Sequence, residues 1–430
     1  YAQLKKNGGK ADAETMEEAI DGNICRCTGY RPILDTAKSF ATDSKVVDHI
    51  GGEVKSGPYD AKTSDPDVSD DAFYARKKDV PELSFANGSW IRVGSLKRAR
   101  ELAGKNTRFL VGDTCKGVYK NPPSVDITID IRDVPELRVS RIEGSNLILG
   151  AARTLNDLRD ALGAVQSKSK SFEALVNHIG KIASNHVRNQ ASIAGNLVMA
   201  RENGFLSDLA PIMQGAGATL SVLDNSTGKI KSMSVETFLS GSSEFQSGDL
   251  IVDVRIPMLS GNVVFRTYRS AVRPRNCHAI LNSAMMIETE ADGKIKSSRI
   301  VFNGVMEPDA KGSRPVRAVQ TEAFLKGKSL RDAGTIASAT SKLCDEIGGM
   351  LKGTAKSVSS YEGKCGDFVS VRLALVRGFF TKFAVACNAD KATAEFRSAS
   401  RDLVVDRGSV ESKQEFPQND ADARSAVYVI

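Results

Sequence analysis

The sequence predicts an α+β chain, and three observations carry that expectation. Residues 1–44 show apolar residues at helical spacing. Residues 83–256 alternate short strand-like runs with helical stretches. After Gly261, strands around a glycine turn precede two long amphipathic helices. The 430-residue length corresponds to about three domains at ~150 residues each. Hydrophobic residues at 41% and charged residues at 26% are ordinary globular values, which excludes a disordered, collagen-like or coiled-coil protein. The 59 Lys+Arg against 52 Asp+Glu leave a net charge of +7. That excess is scattered rather than gathered into a patch, so no nucleic-acid partner is expected. No run of ~18 apolar residues occurs, so no membrane partner is expected. The 7 Cys are an odd number, and Tyr1 to Lys10 carry no apolar leader. Reduced thiols and a cytoplasmic location follow as expectations.

Taken in order, Asp12 to Ile20 reads as a helix stopped at Gly22-Asn23, and a second helix begins near Pro32. Residues 45–82 are poor in apolar residues and read as an exposed linker. Ser89 to Val93 is a strand and Ser95 to Ala103 a short helix. Arg108 to Val111 reads as a buried strand running into Gly112-Asp113-Thr114. Ile127 to Ile131 and Leu147 to Ala151 are further strands. Thr154, followed three residues later by Asp157 and then a periodic apolar run, signals a helix start. Ile182 to Val187 is helical or extended. Ala218 to Leu223 and Asp249 to Ile256 are strands. Beyond Gly261, Ala279 to Glu288 and Ser298 to Phe302 form a meander turning at Gly293. Leu330 to Glu346 and Phe368 to Cys387 are amphipathic helices. The domains expected are 1–44, 83–261 and 262–390, with a linker at 45–82. Residues 391–430 end in the strand-like Ala426-Val427-Tyr428-Val429-Ile430.

Three short segments could carry chemistry. Cys25 and Cys27, one residue apart between two helices, are too close for a sensible disulfide. They are either ordinary thiols or a metal pair, since thiolates are the ligands of iron–sulfur clusters. Phe109, Leu110, Val111, Gly112, Asp113, Thr114, Cys115 and Lys116 run from a strand into small polar residues. That pattern makes either an ordinary turn or a nest of backbone N–H groups for a pyrophosphate. Cys115 sits in this nest, where positive potential lowers a thiol pKa, although an unreactive thiol is the reading adopted. Ala191-Ser192-Ile193-Ala194-Gly195-Asn196, with Ser207-Asp208 downstream, is either a small-residue packing turn or a surface against which a flavin packs. His49, His178, His186 and His278 have no second ligand at metal spacing and read as structural or surface residues. No Gly-x-Gly-x-x-Gly follows a strand, which argues against a Rossmann domain. His186 lies close to Ser192 in sequence, but Ser192 has no nucleophile elbow, so no hydrolase triad is expected.

The string Cys25-Arg26-Cys27-Thr28-Gly29-Tyr30-Arg31-Pro32-Ile33 resembles the helical two-iron, two-sulfur domain of molybdenum hydroxylases, the xanthine dehydrogenase and aldehyde oxidase family. The two later motifs, in their order and spacing, resemble the FAD domain of that family. The resemblance implies a PCMH-type, vanillyl-alcohol-oxidase-like FAD-binding fold of two subdomains. Ile300 to Val305 and the Phe379-Phe380-Thr381-Lys382-Phe383 helix resemble the CO-dehydrogenase-flavoprotein C-terminal domain that follows it. By position, Phe109 to Lys116 match the pyrophosphate loop, with Asp113 in place of a usual Asn. Ser192, Gly195 and Asn196 match the Ala-Ser-x-x-Gly-Asn motif, and Asp208 matches a flavin-contacting Asp. Ile182, Ile251 and Tyr268 fall where relatives have Phe, Leu and Lys near the flavin. The segment after Asn196 and Gly117-Val118-Tyr119-Lys120 are nearer to plant-type aldehyde oxidases.

The resemblance implies FAD as cofactor and Cys25 and Cys27 as half of a 2Fe-2S ligand set. The other two ligands belong to an upstream Cys-x-x-Cys pair that does not occur in the sequence. Molybdopterin is expected only in a further domain, begun by residues 426–430. The expected activity is an oxidoreductase step in which electrons pass from molybdenum and iron–sulfur centres through FAD to O2. Alternatives are a xanthine-dehydrogenase-like module that reduces NAD and a truncated, non-catalytic product. The expected partners are the remaining iron–sulfur and molybdenum domains, in the same or a separate chain, with a homodimer in the full enzyme. No proton-abstracting side chain is required for electron entry, so no catalytic residue is assigned. The start at Tyr1, without Met, reads as the edge of a longer enzyme.

Overall fold

The computed structural model describes residues 2–23, 30–43, 82–85, 88–118, 124–273, 275–305, 314–354 and 368–388. Cys25, Cys27, all of the linker except Glu82, and residues 391–430 lie outside the described residues.

Three short helices open the chain: α1 (Ala2–Lys6), α2 (Ala13–Ala19) and α3 (Arg31–Ser39). Asp12 caps α2 by accepting the Thr15 N–H at 2.7 Å, which satisfies one of the orphan donors of its first turn. Leu4, Ala11, Met16 and Ala41 are buried together in a small core of their own.

The next unit begins with β1 (Leu83–Phe85), β2 (Gly88–Arg92), α4 (Leu96–Leu102), β3 (Thr107–Leu110) and β4 (Ile127–Asp130). The strand order is β1-β2-β4-β3, and β2 and β3 both run parallel to β4. A second sheet contains β5 (Ser140–Glu143) and β6 (Asn146–Gly150). Five helices follow: α5 (Leu155–Ala164), α6 (Phe172–Gly180), α7 (Asn185–Arg188), α8 (Ile193–Asn203) and α9 (Leu209–Ala216). Then β7 (Thr219–Leu223), β8 (Ile230–Ser234), α10 (Val235–Leu239) and β9 (Leu250–Pro257) complete the sheet in the order β5-β6-β9-β7-β8.

The third sheet is β10 (Val263–Ala271), β11 (Ala279–Thr289), β12 (Ile295–Asn303) and β13 (Val316–Arg317), an antiparallel meander. Helices α11 (Val319–Leu325), α12 (Ala333–Thr354) and α13 (Phe368–Cys387) follow it. Both faces of this sheet are buried, because successive side chains of a strand point to opposite sides. Phe265, Ala284 and Met286 enter the core shared with α5 to α9. Tyr268, Leu281, Met285, Ile300 and Phe302 enter a second core with Leu343, Phe379, Phe380 and Phe383 of α12 and α13. Helix α9 approaches this sheet closely at a glycine: a Cβ on Gly215 would stand 2.3 Å from the Ala284 Cβ.

Two sequence expectations need correction. The Arg108 to Val111 strand, expected to be buried, is an edge strand, half-buried except at Leu110. Ile182 to Val187 is neither a helix nor a strand throughout. It is a turn with Ala183 at φ 50, followed by the single-turn helix α7.

The Thr154 signal produces a full capping box on α5. Its hydroxyl accepts the Asp157 N–H at 3.0 Å, and Asp157 accepts the Thr154 N–H at 3.0 Å. Thr154 also bridges to Ser192. Thr154→Ala is expected to lower stability by about 1 kcal/mol in urea unfolding, and Thr154→Ser to keep most of it.

Candidate functional site

The glycine loop after β3 leaves a run of backbone donors open. Gly112 follows the strand, and Asp113 adopts the left-handed conformation at φ 52. A single 3-10 turn, Thr114–Gly117, ends the loop. Among the described residues, the backbone N–H groups of Gly112, Asp113, Thr114 and Cys115 find no acceptor. Four consecutive open donors around a left-handed residue form a concave nest of positive potential. The loop can lie where it does only with glycine at 112, because a Cβ there would stand 1.8 Å from the Gln190 carbonyl oxygen.

Asp113 puts a carboxylate beside this nest. Lys116 Nζ lies 2.8 Å from it and Arg108 NH1 3.7 Å. The Cys115 thiol donates to Asp113 at 3.5 Å. The expectation that positive potential depresses the Cys115 thiol is corrected here. Burial and the Asp113 carboxylate push its pKa up, which disfavours the thiolate.

The Gln190 turn leads directly into the second motif. Ser192 is the N-cap of α8, and its hydroxyl accepts the Gly195 N–H at 3.0 Å. A Cβ on Gly195 would stand 2.7 Å from that hydroxyl. The Ile193 and Ala194 N–H groups are taken by the Arg153 and Ala151 carbonyls. The open donors therefore belong to the glycine loop rather than to the start of α8. Asn196 accepts from the Ser207 hydroxyl at 2.5 Å, and that hydroxyl in turn accepts the Leu209 and Ala210 N–H groups at the start of α9.

Asp208, the next residue, is buried in a polar network that the sequence did not reveal. Arg269 Nε donates to one carboxylate oxygen at 3.0 Å, and Asn282 Nδ2 donates to the other at 2.7 Å. Arg269 also donates to the Cys277 carbonyl, and Asn303 to the Ser207 carbonyl. Burial pushes the Asp208 carboxyl up, while Arg269, His278 and Asn282 pull it down. Burial prevails, so its pKa lies above the usual carboxylate value, and the ion pair and the amide offset part of that cost. Arg269, Asn282 and Asn303 lie on β10, β11 and β12, so only the folded meander gathers them. The alternating apolar pattern of these strands, interrupted by Arg269 and Asn282, was the available signal.

Ile182 and Ile251 are buried in the first core. The Ile182 carbonyl accepts from the fully buried Arg188 at 2.9 Å, and Arg188 Nε donates to Asn156 at 3.1 Å. Tyr268 stands apart and is corrected. Its side chain lies on the other face of β10, stacked on Phe379 with ring centroids 5.4 Å apart. Thr267 and Arg269 are the β10 side chains that face the cluster, through the Ala174 carbonyl and Asp208.

Comparisons with known proteins agree with this architecture. Residues 83–259 match the model of the FAD binding domain in molybdopterin dehydrogenase. Residues 266–355 match the CO dehydrogenase flavoprotein C-terminal domain, and residues 1–38 the [2Fe-2S] binding domain. The chain belongs to the molybdenum hydroxylase family. It is similar to an indole-3-acetaldehyde oxidase of Arabidopsis thaliana, 30% identical over 74% of this chain and 25% of the relative. Probable aldehyde oxidase 1 of Oryza sativa is 31% identical over 74% of this chain and 25% of the relative. The chain thus spans about a quarter of the length of these relatives. In fold it is similar to quinoline 2-oxidoreductase from Pseudomonas putida, with a TM-score of 0.54 at 19% identity, covering 71% of this chain and 99% of that one. It is likewise similar to the CO dehydrogenase of Oligotropha carboxidovorans, with a TM-score of 0.54 over 67% of this chain and 93% of that one. No helix among the described residues is long and apolar enough to cross a membrane. The open amides at 112–115 and the tight seat of Gly112 fit a cofactor that carries a pyrophosphate.

Two outcomes follow. Gly112→Ala must push the loop off Gln190, so FAD uptake is expected to fall at least about tenfold, by fluorescence titration, with little change in circular dichroism. His178 lies buried in α6, and burial together with Lys181 and Arg269 holds its imidazole well below the usual range. It is neutral when folded and takes up a proton on unfolding below about pH 6.5. Stability is therefore expected to fall as pH drops below that value, by up to about 1.4 kcal/mol per pH unit from this group. His178→Gln should flatten the acid limb of a Tm-versus-pH profile.

Proposed function

We propose that this chain is the FAD-holding, electron-transfer portion of an aldehyde-oxidase-type molybdenum hydroxylase, with O2 as the final acceptor. The observation that carries the reading is the row of four open amides at Gly112 to Cys115, seated by glycine against the turn that leads into Ser192. These amides would hold the pyrophosphate of FAD, with Ser192, Gly195 and Asn196 forming the adjacent wall. Ile182 and Ile251 provide apolar surface, and Asp208, fixed by Arg269 and Asn282, provides acceptor oxygens. Bound FAD supplies a ring system that takes up and releases electrons singly or in pairs. The protein's own work is to bind this group, orient it and set the charge around it. Cys25 and Cys27 would supply half of a 2Fe-2S ligand set, an upstream Cys-x-x-Cys pair would supply the other half, and the molybdopterin would belong to a further domain of a longer enzyme.

The protein loaded with FAD and reduced should be reoxidised by O2 in stopped flow. Reoxidation by NAD that is much faster than by O2 would overturn the oxidase reading and favour a dehydrogenase. Failure of the protein to take up FAD at all would overturn the whole assignment.

Asp113 tunes the same loop. A carboxylate next to a pyrophosphate site is repulsive, and Lys116 and Arg108 offset only part of that charge. Asp113→Asn keeps a residue tolerant of the left-handed conformation. It is expected to tighten FAD binding several-fold (about 1 kcal/mol), with the largest gain at low salt in a fluorescence titration.

A further inference from the structure

Beside the proposed flavin site, where Arg188 holds the Ile182 carbonyl, three arginines from separate parts of the fold converge. Arg159 comes from α5, Arg188 from α7 and Arg275 from the β10–β11 connection. Arg188 is fully buried, and Arg159 and Arg275 depress its pKa further. Three neighbouring guanidinium groups repel one another unless carboxylates intervene. Among the described residues, the carboxylates within reach are Glu18 and Asp21, at the end of α2, and the neighbouring Asp160. Glu18 divides its oxygens between two of the arginines, Arg159 at 2.9 Å and Arg275 at 3.0 Å. Asp21 lies 3.8 Å from Arg275 NH1 and 4.0 Å from Arg188 NH2, and accepts the Asn185 N–H at 3.3 Å. The backbone fits as closely as the charge. Gly22 has φ +87, and a Cβ there would stand 2.6 Å from the Ser184 Cβ.

We propose that the Arg159–Arg188–Arg275 cluster is an acid-reading docking surface whose occupant is the Glu18-to-Gly22 segment of this same chain. It is a charge latch. The latch positions the segment that leads into Cys25 and Cys27 against the 182–184 turn, whose carbonyls Arg188 holds. The α1–α3 core is small, with Leu4, Ala11, Met16 and Ala41 as its buried residues. This cluster is separate from the two larger cores, and in the proposal the ion pairs and the Gly22–Ser184 contact carry its placement on the larger unit. Glu18 and Arg275 are positioning residues. This inference does not require FAD to be bound.

The full chain tests it by hydrogen–deuterium exchange over residues 13–22, at roughly 0.02 M and roughly 0.5 M salt. Glu18→Lys should raise exchange about tenfold at low salt. A lysine near the C-terminal end of α2 favours the helix dipole, so this change does not weaken α2 by itself. Arg275→Glu, made on the opposite side, should raise exchange in the same peptide. High salt should do the same to the unaltered protein. The triple exchange Glu18→Lys, Arg159→Glu and Arg275→Glu should restore protection. Unchanged exchange in Glu18→Lys, or no recovery in the triple variant, overturns the latch. FAD titration of the same preparations reads the flavin site separately. Loss of the latch with FAD uptake intact is the expected pattern, and intact protection without FAD uptake would count against the flavin reading alone.

Discussion

The buried pair of Asp208 and Arg269 is the interaction on which the arrangement of the molecule depends. Their side chains are 6% and 4% exposed, so neither charge could be left in place without the other. Breaking such a pair typically destabilises by about 3–5 kcal/mol, because the remaining charge stays buried. Asp208 starts α9, Arg269 sits on β10, and Asn282 on β11 completes the carboxylate's partners. The pair therefore ties the FAD-binding unit to the meander through charge, at a face where the two also share an apolar core. Around it, Gly215 lets α9 press onto Ala284, and Asn303 reaches back to the Ser207 carbonyl. Together these contacts fix which face of the sheet meets the cofactor unit and which meets α12 and α13.

The glycine loop follows the opposite logic. Most buried or half-buried backbone donors in a fold are paired, yet four in a row at Gly112 to Cys115 find no acceptor among the described residues. Such donors persist where the surrounding structure holds the backbone rigidly, here by the Gly112–Gln190 contact. The start of α8 is its counterpart. Its early amides are already used by Ser192, Arg153 and Ala151, so it contributes shape rather than donors. The glycine loop and a helix N-terminus thus lie side by side, and among the described residues only the loop has hydrogen bonds left to give.

Many of the helices and strands were legible from the sequence because their signals are local. The capping box at Thr154 and Asp157 and the meander turn at Gly293, with φ 81, need only neighbouring residues. The glycine loop was legible for the same reason. Tyr268 and the edge position of Arg108 to Val111 were not. Each depends on which face of a sheet, or which end of its strand order, a segment occupies. At Cys115 the unreactive thiol expected from the sequence agrees with a pKa pushed up by burial first and by Asp113 second, and both of those causes arise only on folding.

The sequence by itself determined the family and the mixed helix-and-sheet class, since these reside in short strings and local patterns that survive unaided. Only the tertiary structure decided how those units meet. Arg269, Asn282 and Asn303 each look like an isolated polar residue in a strand until β10, β11 and β12 pair. Arg159, Arg188 and Arg275 are unremarkable until Glu18 and Asp21 lie among them. The reason is physical. A buried charge is specified by partners distant in sequence, and only folding brings them within the few ångströms over which hydrogen bonds and ion pairs act.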